Sequence, residues 1–274
     1  MNLEDGLGDI LRKARTSTQI TAEAAAQSAG LSLDAYVTFE RTGQAPAGTH
    51  FGPLGELLTL GGSRLEGLSL GWRPVPVDLS RWKRLEMITS AGDDMMVNAF
   101  LVWDPESGKA ALFDTGFDGR AIIELVLANA MQLEDIFITH SHSDHVAALP
   151  ELRQRFPGVR LHSGSRRAPL DQQLKPGSVF ALGRLAIGHR PTPGHAEDGV
   201  TYLITGWPDE APAVAVVGDA IFAGSMGGAR DQLELARGQV RGEILSKSEA
   251  TLICPGHGPV TTVGQEKTNN PWFV

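Results

Sequence analysis

The chain has 274 residues, enough for one large domain or two smaller ones, and its 42% hydrophobic and 20% charged content excludes a disordered or fibrous protein. No run of about 18 apolar residues occurs, which excludes a membrane-spanning helix, and the acidic start Met1-Asn2-Leu3-Glu4-Asp5 lacks the pattern of a secretory leader. The single cysteine, Cys254, rules out an internal disulfide and a thiolate metal cluster, the net charge of −8 argues against a nucleic-acid-coating protein, and a cytoplasmic protein is expected.

The first 73 residues read as helices. Leu7, Ile10, Leu11 and Ala14 recur at helical spacing. Thr21 is placed to cap a helix over 22–29 that Gly30 stops, and Ser32 to cap one through Glu40 with Gly43 beyond. A fourth segment over 51–60 ends at Gly61-Gly62. Short helices joined by glycine-containing turns fit a helix-turn-helix bundle. In Trp72-Arg73-Pro74-Val75-Pro76-Val77 two prolines one residue apart resist both helix and central strand. The expected organisation is a helical domain over 1–73, a linker over 74–80 and a second domain over 81–274.

The second domain alternates strand, turn and helix. Short apolar runs rich in β-branched or aromatic residues predict strands over 99–103, 110–113, 136–139, 159–162, 200–204, 214–217 and 251–254. Helices are predicted over 119–131, 146–156 and 230–245. This mixture is an α/β layered class.

The informative stretch is Thr139-His140-Ser141-His142-Ser143-Asp144-His145, directly after a predicted strand. Three imidazoles beside a carboxylate are poorly paired unless they share a cation. At a strand end His140 and His142 point the same way, and the turn into the next helix swings Asp144 and His145 to a second position, so one segment can serve two metals. Three later loops at strand ends add Pro193-Gly194-His195, Gly218-Asp219 and Pro255-Gly256-His257-Gly258. Of the eight histidines, His50, His162 and His189 stand outside these motifs and read as surface or packing residues. Cys254 reads as a small buried hydrophobe, Tyr202 as a strand residue, and Gly224-Ser225-Met226-Gly227-Gly228 as either a substrate-side loop or a turn into a helix.

The run H-x-H-x-D-H, then PGH, GD and PGHG, in this order, resembles the metallo-β-lactamase superfamily of dinuclear metallohydrolases, over roughly residues 81–274. The closing GHGPVTTVGQEKTNNPWF resembles its glyoxalase-II-like, hydroxyacylglutathione-hydrolase-like branch. The resemblance implies a four-layer αββα sandwich with metals at one edge. It implies that His140, His142 and His195 bind one metal, that Asp144, His145 and His257 bind a second, and that Asp219 bridges both. Asp114, in Phe113-Asp114-Thr115-Gly116, matches a further motif and is read as orienting a ligand or as a turn former. His and Asp ligands suit two divalent ions, zinc first, with iron or manganese also compatible. The chemistry that follows is hydrolysis by a metal-bridging hydroxide, with Asp144 and Asp219 as the catalytic carboxylates and Asp144 orienting the hydroxide or handling its proton. The expected substrate is a small ester or thioester. The larger relatives grip glutathione with a carboxyl-terminal helical extension, whereas this chain ends at Val274, soon after His257.

The amino-terminal helices resemble a Cro/repressor-type helix-turn-helix of the Xre kind, through Leu7–Arg15 residues LGDILRKAR, then AAAQSAGLS from Ala24 and FERTGQAP from Phe39. Charge speaks against DNA binding, since residues 1–75 hold Arg12, Lys13, Arg15, Arg41, Arg64 and Arg73 against eight acidic residues. The helix that would read bases offers Asp34, Tyr36, Thr38 and Glu40. Dimerisation through these helices, giving a homodimer, or a role in shaping the active site is the preferred reading. The same seven ligands also suit a lactonase or a phosphodiesterase, and a DNA-binding regulator with a ligand-sensing hydrolase-like domain is the remaining alternative.

Overall fold

A computed structural model describes residues 2–92 and 95–274. Five helices come first: α1 (Leu7–Ser17), α2 (Ala22–Ala29), α3 (Leu33–Thr42), α4 (Phe51–Leu57) and α5 (Gly62–Ser69). Their ends follow the capping signals. Thr21 Oγ1 accepts from the Ala24 amide and Ser32 Oγ from the Ala35 amide, while Gly30 and Gly43 close α2 and α3 in the left-handed region at φ 70° and 71°. Residues 72–78 form neither helix nor strand.

Strands then alternate with helices: β1 (Leu85–Gly92), β2 (Met95–Trp103), β3 (Lys109–Phe113), α6 (Arg120–Ala128), β4 (Gln132–Ile138), α7 (Ser143–Val146), α8 (Leu149–Arg155) and β5 (Arg160–Ser163). The carboxyl-terminal half adds β6 (Val179–Leu182), β7 (Leu185–Pro191), β8 (Val200–Thr205), β9 (Val214–Gly218), α9 (Leu233–Gln239), β10 (Leu252–Pro255), β11 (Thr261–Thr262) and α10 (Val263–Asn269). One sheet has the order β1-β2-β3-β4-β5 and the other β11-β10-β9-β8-β7-β6. Within them β3, β4 and β5 run parallel, as do β9 and β10, and the remaining pairs are antiparallel.

Period-two alternation sorts each strand's side chains into layers. Phe100, Val102, Phe113 and Phe137 of the first sheet face Tyr202, Ile204, Val214 and Val216 of the second and form the central core. On the far side of the first sheet, Ala99, Leu101, Leu112 and Ile136 pack on Ile122 and Val126 of α6 and Leu152 of α8. On the far side of the second, Ala215, Val217 and Ile253 meet α9, Trp272 and Phe273, and the same apolar cluster continues into Ile10, Leu11, Leu54 and Leu65 of the amino-terminal helices. The architecture is the expected αββα sandwich, with the five helices adding to one outer layer.

Three predicted helices are shorter or broken. The segment 119–131 is helical only over α6 and then turns into β4, which is longer than expected because Gln132 and Glu134 alternate with buried Leu133 and Asp135. The segment 146–156 divides into α7 and α8, with Pro150 in the first turn of α8. The segment 230–245 is a 3₁₀ turn over Arg230–Gln232, then α9, then a π turn over Val240–Ile244.

Candidate metal centre

All seven predicted ligands lie together at one edge of the sandwich, beyond the ends of β4, β7, β9 and β10, and strand ends are where α/β sheets place their sites. Strand β4 delivers His140, and His142 stands at the N-terminal boundary of α7, which carries Asp144 and His145. His195 comes from the loop between β7 and β8, Asp219 follows β9 and His257 follows β10. Potential ligand atoms fall into three groups, each within 4.8 Å: His140, His142 and His195; His140, His145 and Asp219; Asp144, His145 and His257.

Hydrogen bonds behind the rings decide which nitrogen faces the site. His145 Nδ1 lies 2.8 Å from Asp114 Oδ2, His195 Nδ1 3.0 Å from the Gly228 carbonyl and His257 Nδ1 2.6 Å from the Met96 carbonyl. His140 Nδ1 meets Thr139 Oγ1, which donates to Asp114 Oδ2. Each Nδ1–H therefore has an acceptor behind it, and each Nε2 is free to point inward. His142 is the exception, since its Nδ1 lies 3.0 Å from His140 Nε2 and 3.1 Å from His195 Nε2. Asp219 stands centrally, with Oδ2 3.4 Å from His195 Nε2 and 3.5 Å from His257 Nε2, and Oδ1 3.3 Å from His145 Nε2. Asp144 Oδ2 is 3.2 Å from His145 Nε2 and 3.1 Å from His257 Nε2.

This donor set fits divalent cations. His145 Nε2 and Asp219 Oδ1 are buried without a hydrogen-bond partner, a costly arrangement for two facing polar atoms unless a cation is shared between them. The electrostatics agree. Burial, reinforced by neighbouring imidazoles, outweighs the pull of Asp219 and holds His140 down to about 2, so its ring is neutral and ready to coordinate. Burial also lowers His195. Burial would depress His145 as well, but Asp114, Asp144 and Asp219 push it up to about 12, while Asp144 and Asp219 raise His257 against burial to about 10. Burial opposes ionisation of Asp144 and Asp219, yet the adjacent His145 and His257 hold both well below the usual carboxylate range. The carboxylate side of the site thus demands positive charge, which a divalent ion satisfies by displacing protons.

Asp114 combines both expected roles. Its φ of 57° is a turn conformation, and its carboxylate accepts from the Thr139 amide at 2.7 Å and from the Thr139 hydroxyl at 2.7 Å while holding His145. Asp114→Ala is expected to lower metal affinity about 10–100-fold, checked by competition with a chromogenic chelator, and Asp114→Asn to lose less because asparagine tolerates the same backbone.

Other supports carried no readable signal in the sequence. Asn98 Nδ2 donates to the Pro255 and Gly258 carbonyls, and the Asn98 amide to the Gly256 carbonyl, fixing the loop that bears His257. A Cβ on Gly256 would strike Asp219 Oδ1, and one on Gly227 would strike the Asp219 carbonyl, so both positions need the close approach glycine permits. His162 and His189 lie outside the site; His162 Nε2 pairs with Asp135 at 2.7 Å, and His189 Nε2 contacts the Lys175 carbonyl at 3.0 Å. Cys254 is fully buried in the central core, and Tyr202 is a β8 residue whose hydroxyl donates to the Ile138 carbonyl.

Among the described residues no helix is long and apolar enough to cross a membrane. Residues 92–260 match the model of the metallo-β-lactamase superfamily. The chain is 28% identical over 202 residues to "Hydroxyacylglutathione hydrolase GloC" of Haemophilus influenzae, spanning 64% of this chain and 92% of the relative. Among solved structures, a B3 metallo-β-lactamase, BLEG-1, superposes with a TM-score of 0.58 at 27% identity, covering 69% of this chain and 99% of the other. TTHA1623 in a di-iron-bound form gives 0.55 at 25% identity, covering 68% and 99%. With its ligand geometry and a family match over more than half its length, the chain belongs to the metallo-β-lactamase superfamily and is a metal-dependent hydrolase.

Proposed function

We propose that the protein hydrolyses a small ester or thioester at a dinuclear centre in which His140, His142 and His195 hold one divalent ion, Asp144, His145 and His257 hold the other, and Asp219 serves both. The observation that carries this reading is that Asp219 lies within 3.5 Å of His145, His195 and His257, which belong to adjoining ligand groups, with four imidazoles anchored from behind. Zinc is the first expectation for such His and Asp donors, and iron is supported by the likeness to a protein solved in a di-iron form. Bound divalent ions supply Lewis-acid polarisation of a carbonyl and acidify water.

The chain's own residues do the rest. Asp144, held ionised by His145 and His257, is a hydrogen-bond acceptor that orients an attacking water. A cavity of about 680 Å³ runs past His142 and His195 along Pro193, Glu197, Arg230 and Leu235, giving room for an acyl or thiol group beside the ligands. The likeness to the Haemophilus hydroxyacylglutathione hydrolase supports a thioester. The amino-terminal helices are read as part of the hydrolase rather than a DNA reader, because Arg15 is held by Glu40 at 2.7 Å and Arg12 by Asp9 at 2.5 Å.

Elemental analysis of the purified protein, followed by assay on thioester, lactone and bis-para-nitrophenyl phosphate substrates, tests this reading. Two ions per chain and a preference for thioesters are expected. One ion per chain, or turnover of the phosphodiester alone, overturns it.

A further inference from the structure

The cavity that opens directly onto the ligand atoms, of about 400 Å³, is lined by His142, Asp144, His195, Asp219 and His257 and also by two residues from the far end of the chain, Glu4 and Lys13. Lys13 is the one lysine or arginine among the described residues lining it. Its Nζ donates to Asp5 Oδ2 at 2.6 Å and to the Met226 carbonyl at 3.2 Å, and it lies 5.5 Å from the centroid of the Phe222 ring. That ring meets His257 edge-on at 5.8 Å, so the ammonium stands one aromatic ring away from a metal-ligating imidazole.

Its position is fixed from both sides. Asp5 is buried and also accepts from Ser225 Oγ at 2.5 Å, which ties the segment before α1 to the loop that follows Asp219. The backbone of Glu4 packs against Gly258, beside His257. An ammonium carries three donors, and Asp5 and Met226 take two. A third donor remains on a side chain that borders the cavity.

We propose that Lys13 binds a carboxylate of the substrate, so that helix α1 makes the hydrolase selective for anionic esters or thioesters. The proposal rests on the hydrolase reading above. Carboxylate recognition by a partly buried ammonium is a charge-assisted hydrogen bond, and Phe222 beneath it limits competing water. Glu4 faces the same cavity with the opposite charge and opposes anion entry. A purely structural role for Lys13, holding α1 through Asp5 and Met226, would affect all substrates alike.

The test compares 3-(acetylthio)propionate with its uncharged amide on the metal-loaded full chain. For Lys13→Met, KM for the anion is expected to rise about five- to ten-fold with kcat little changed and KM for the amide unmoved, and Lys13→Arg to recover most of the loss. Glu4→Gln is expected to lower KM for the anion only. Calorimetric titration supplies a readout without turnover. Glutarate carries a second carboxylate for Lys13 and acetate does not, so Lys13→Met is expected to weaken glutarate and leave acetate unchanged. Equal effects on anion and amide, or unchanged glutarate affinity, overturn the proposal while leaving the hydrolase reading standing. Lys13-dependent glutarate binding without turnover of either thioester has the reverse meaning: the recognition role holds and the thioester reading falls.

Discussion

Asp219→Asn is expected to lower hydrolysis by roughly a thousand-fold, about 4 kcal/mol of transition-state stabilisation, and to cut the metal content of the purified protein. Asp219 is the one carboxylate that approaches members of both outer ligand groups, His195 on one side and His145 and His257 on the other. Asparagine keeps the shape but removes the charge, and half of its amide is a donor turned toward imidazoles that need an acceptor. The fold should survive, because the apolar layers do not involve Asp219, but without metal the variant is expected to be less stable than the parent in urea, since His145 and His257, which Asp219 helps to keep protonated, lose a buried charge partner. Asp144→Ala provides the contrast. It should abolish hydrolysis with the fold kept, while the group of His140, His142 and His195 still retains an ion. Full metal content with full turnover in either variant would refute the assigned role.

Expressed from Arg81 onward, without the five helices, the protein is expected to aggregate or to bind a hydrophobic dye as a loosely packed chain. Ala215, Val217, Met226, Leu233, Trp272 and Phe273 are buried in the same cluster as Ile10, Leu11, Leu54 and Leu65. Uncovering even five large apolar side chains at roughly 2 kcal/mol each removes about as much free energy as a typical domain possesses, about 5–15 kcal/mol. Polar contacts also span this junction. Arg64 donates to the carbonyls of Lys267, Asn270 and Phe273, and the Gly61 amide to the carbonyl of Pro271. Thermal unfolding of the whole chain, followed by circular dichroism, should therefore show one transition, and Leu11→Ala should shift it as a unit by about 2–5 kcal/mol. A soluble, metal-binding fragment, or two separate transitions in the parent, would show that the helices are an independent domain.

The seven candidate ligands were legible because four chemically unusual residues crowd into six positions after an apolar strand, and because the other three motifs sit where strands end. The caps of α2 and α3 were equally readable, since Thr21, Ser32, Gly30 and Gly43 act over one or two turns. Strands β1, β6 and β7 were not, because they are partly exposed, and β7 carries Gly188, His189 and Arg190 in place of an unbroken apolar run. The Asn98 side chain and the Met96 carbonyl, which hold the His257 loop, act across 150 residues or more on partners that local spacing does not connect. Lys13 and Glu4 reach the ligand cavity only through the shared apolar cluster, a consequence of tertiary packing that helical periodicity does not report.

His140, His142, Asp144 and His145 follow the first sheet, whereas His195, Asp219 and His257 follow strands of the second. Ions held between them would act as a clasp across the sandwich. By mass action, the protein's resistance to unfolding should then rise with the logarithm of the free metal concentration once that exceeds the dissociation constant. A metal-starved chain would keep its layers but lose the clasp, opening first at the ligand edge and becoming prey to proteases there. The cell's supply of metal would in this way set how long the enzyme lasts as well as how fast it works.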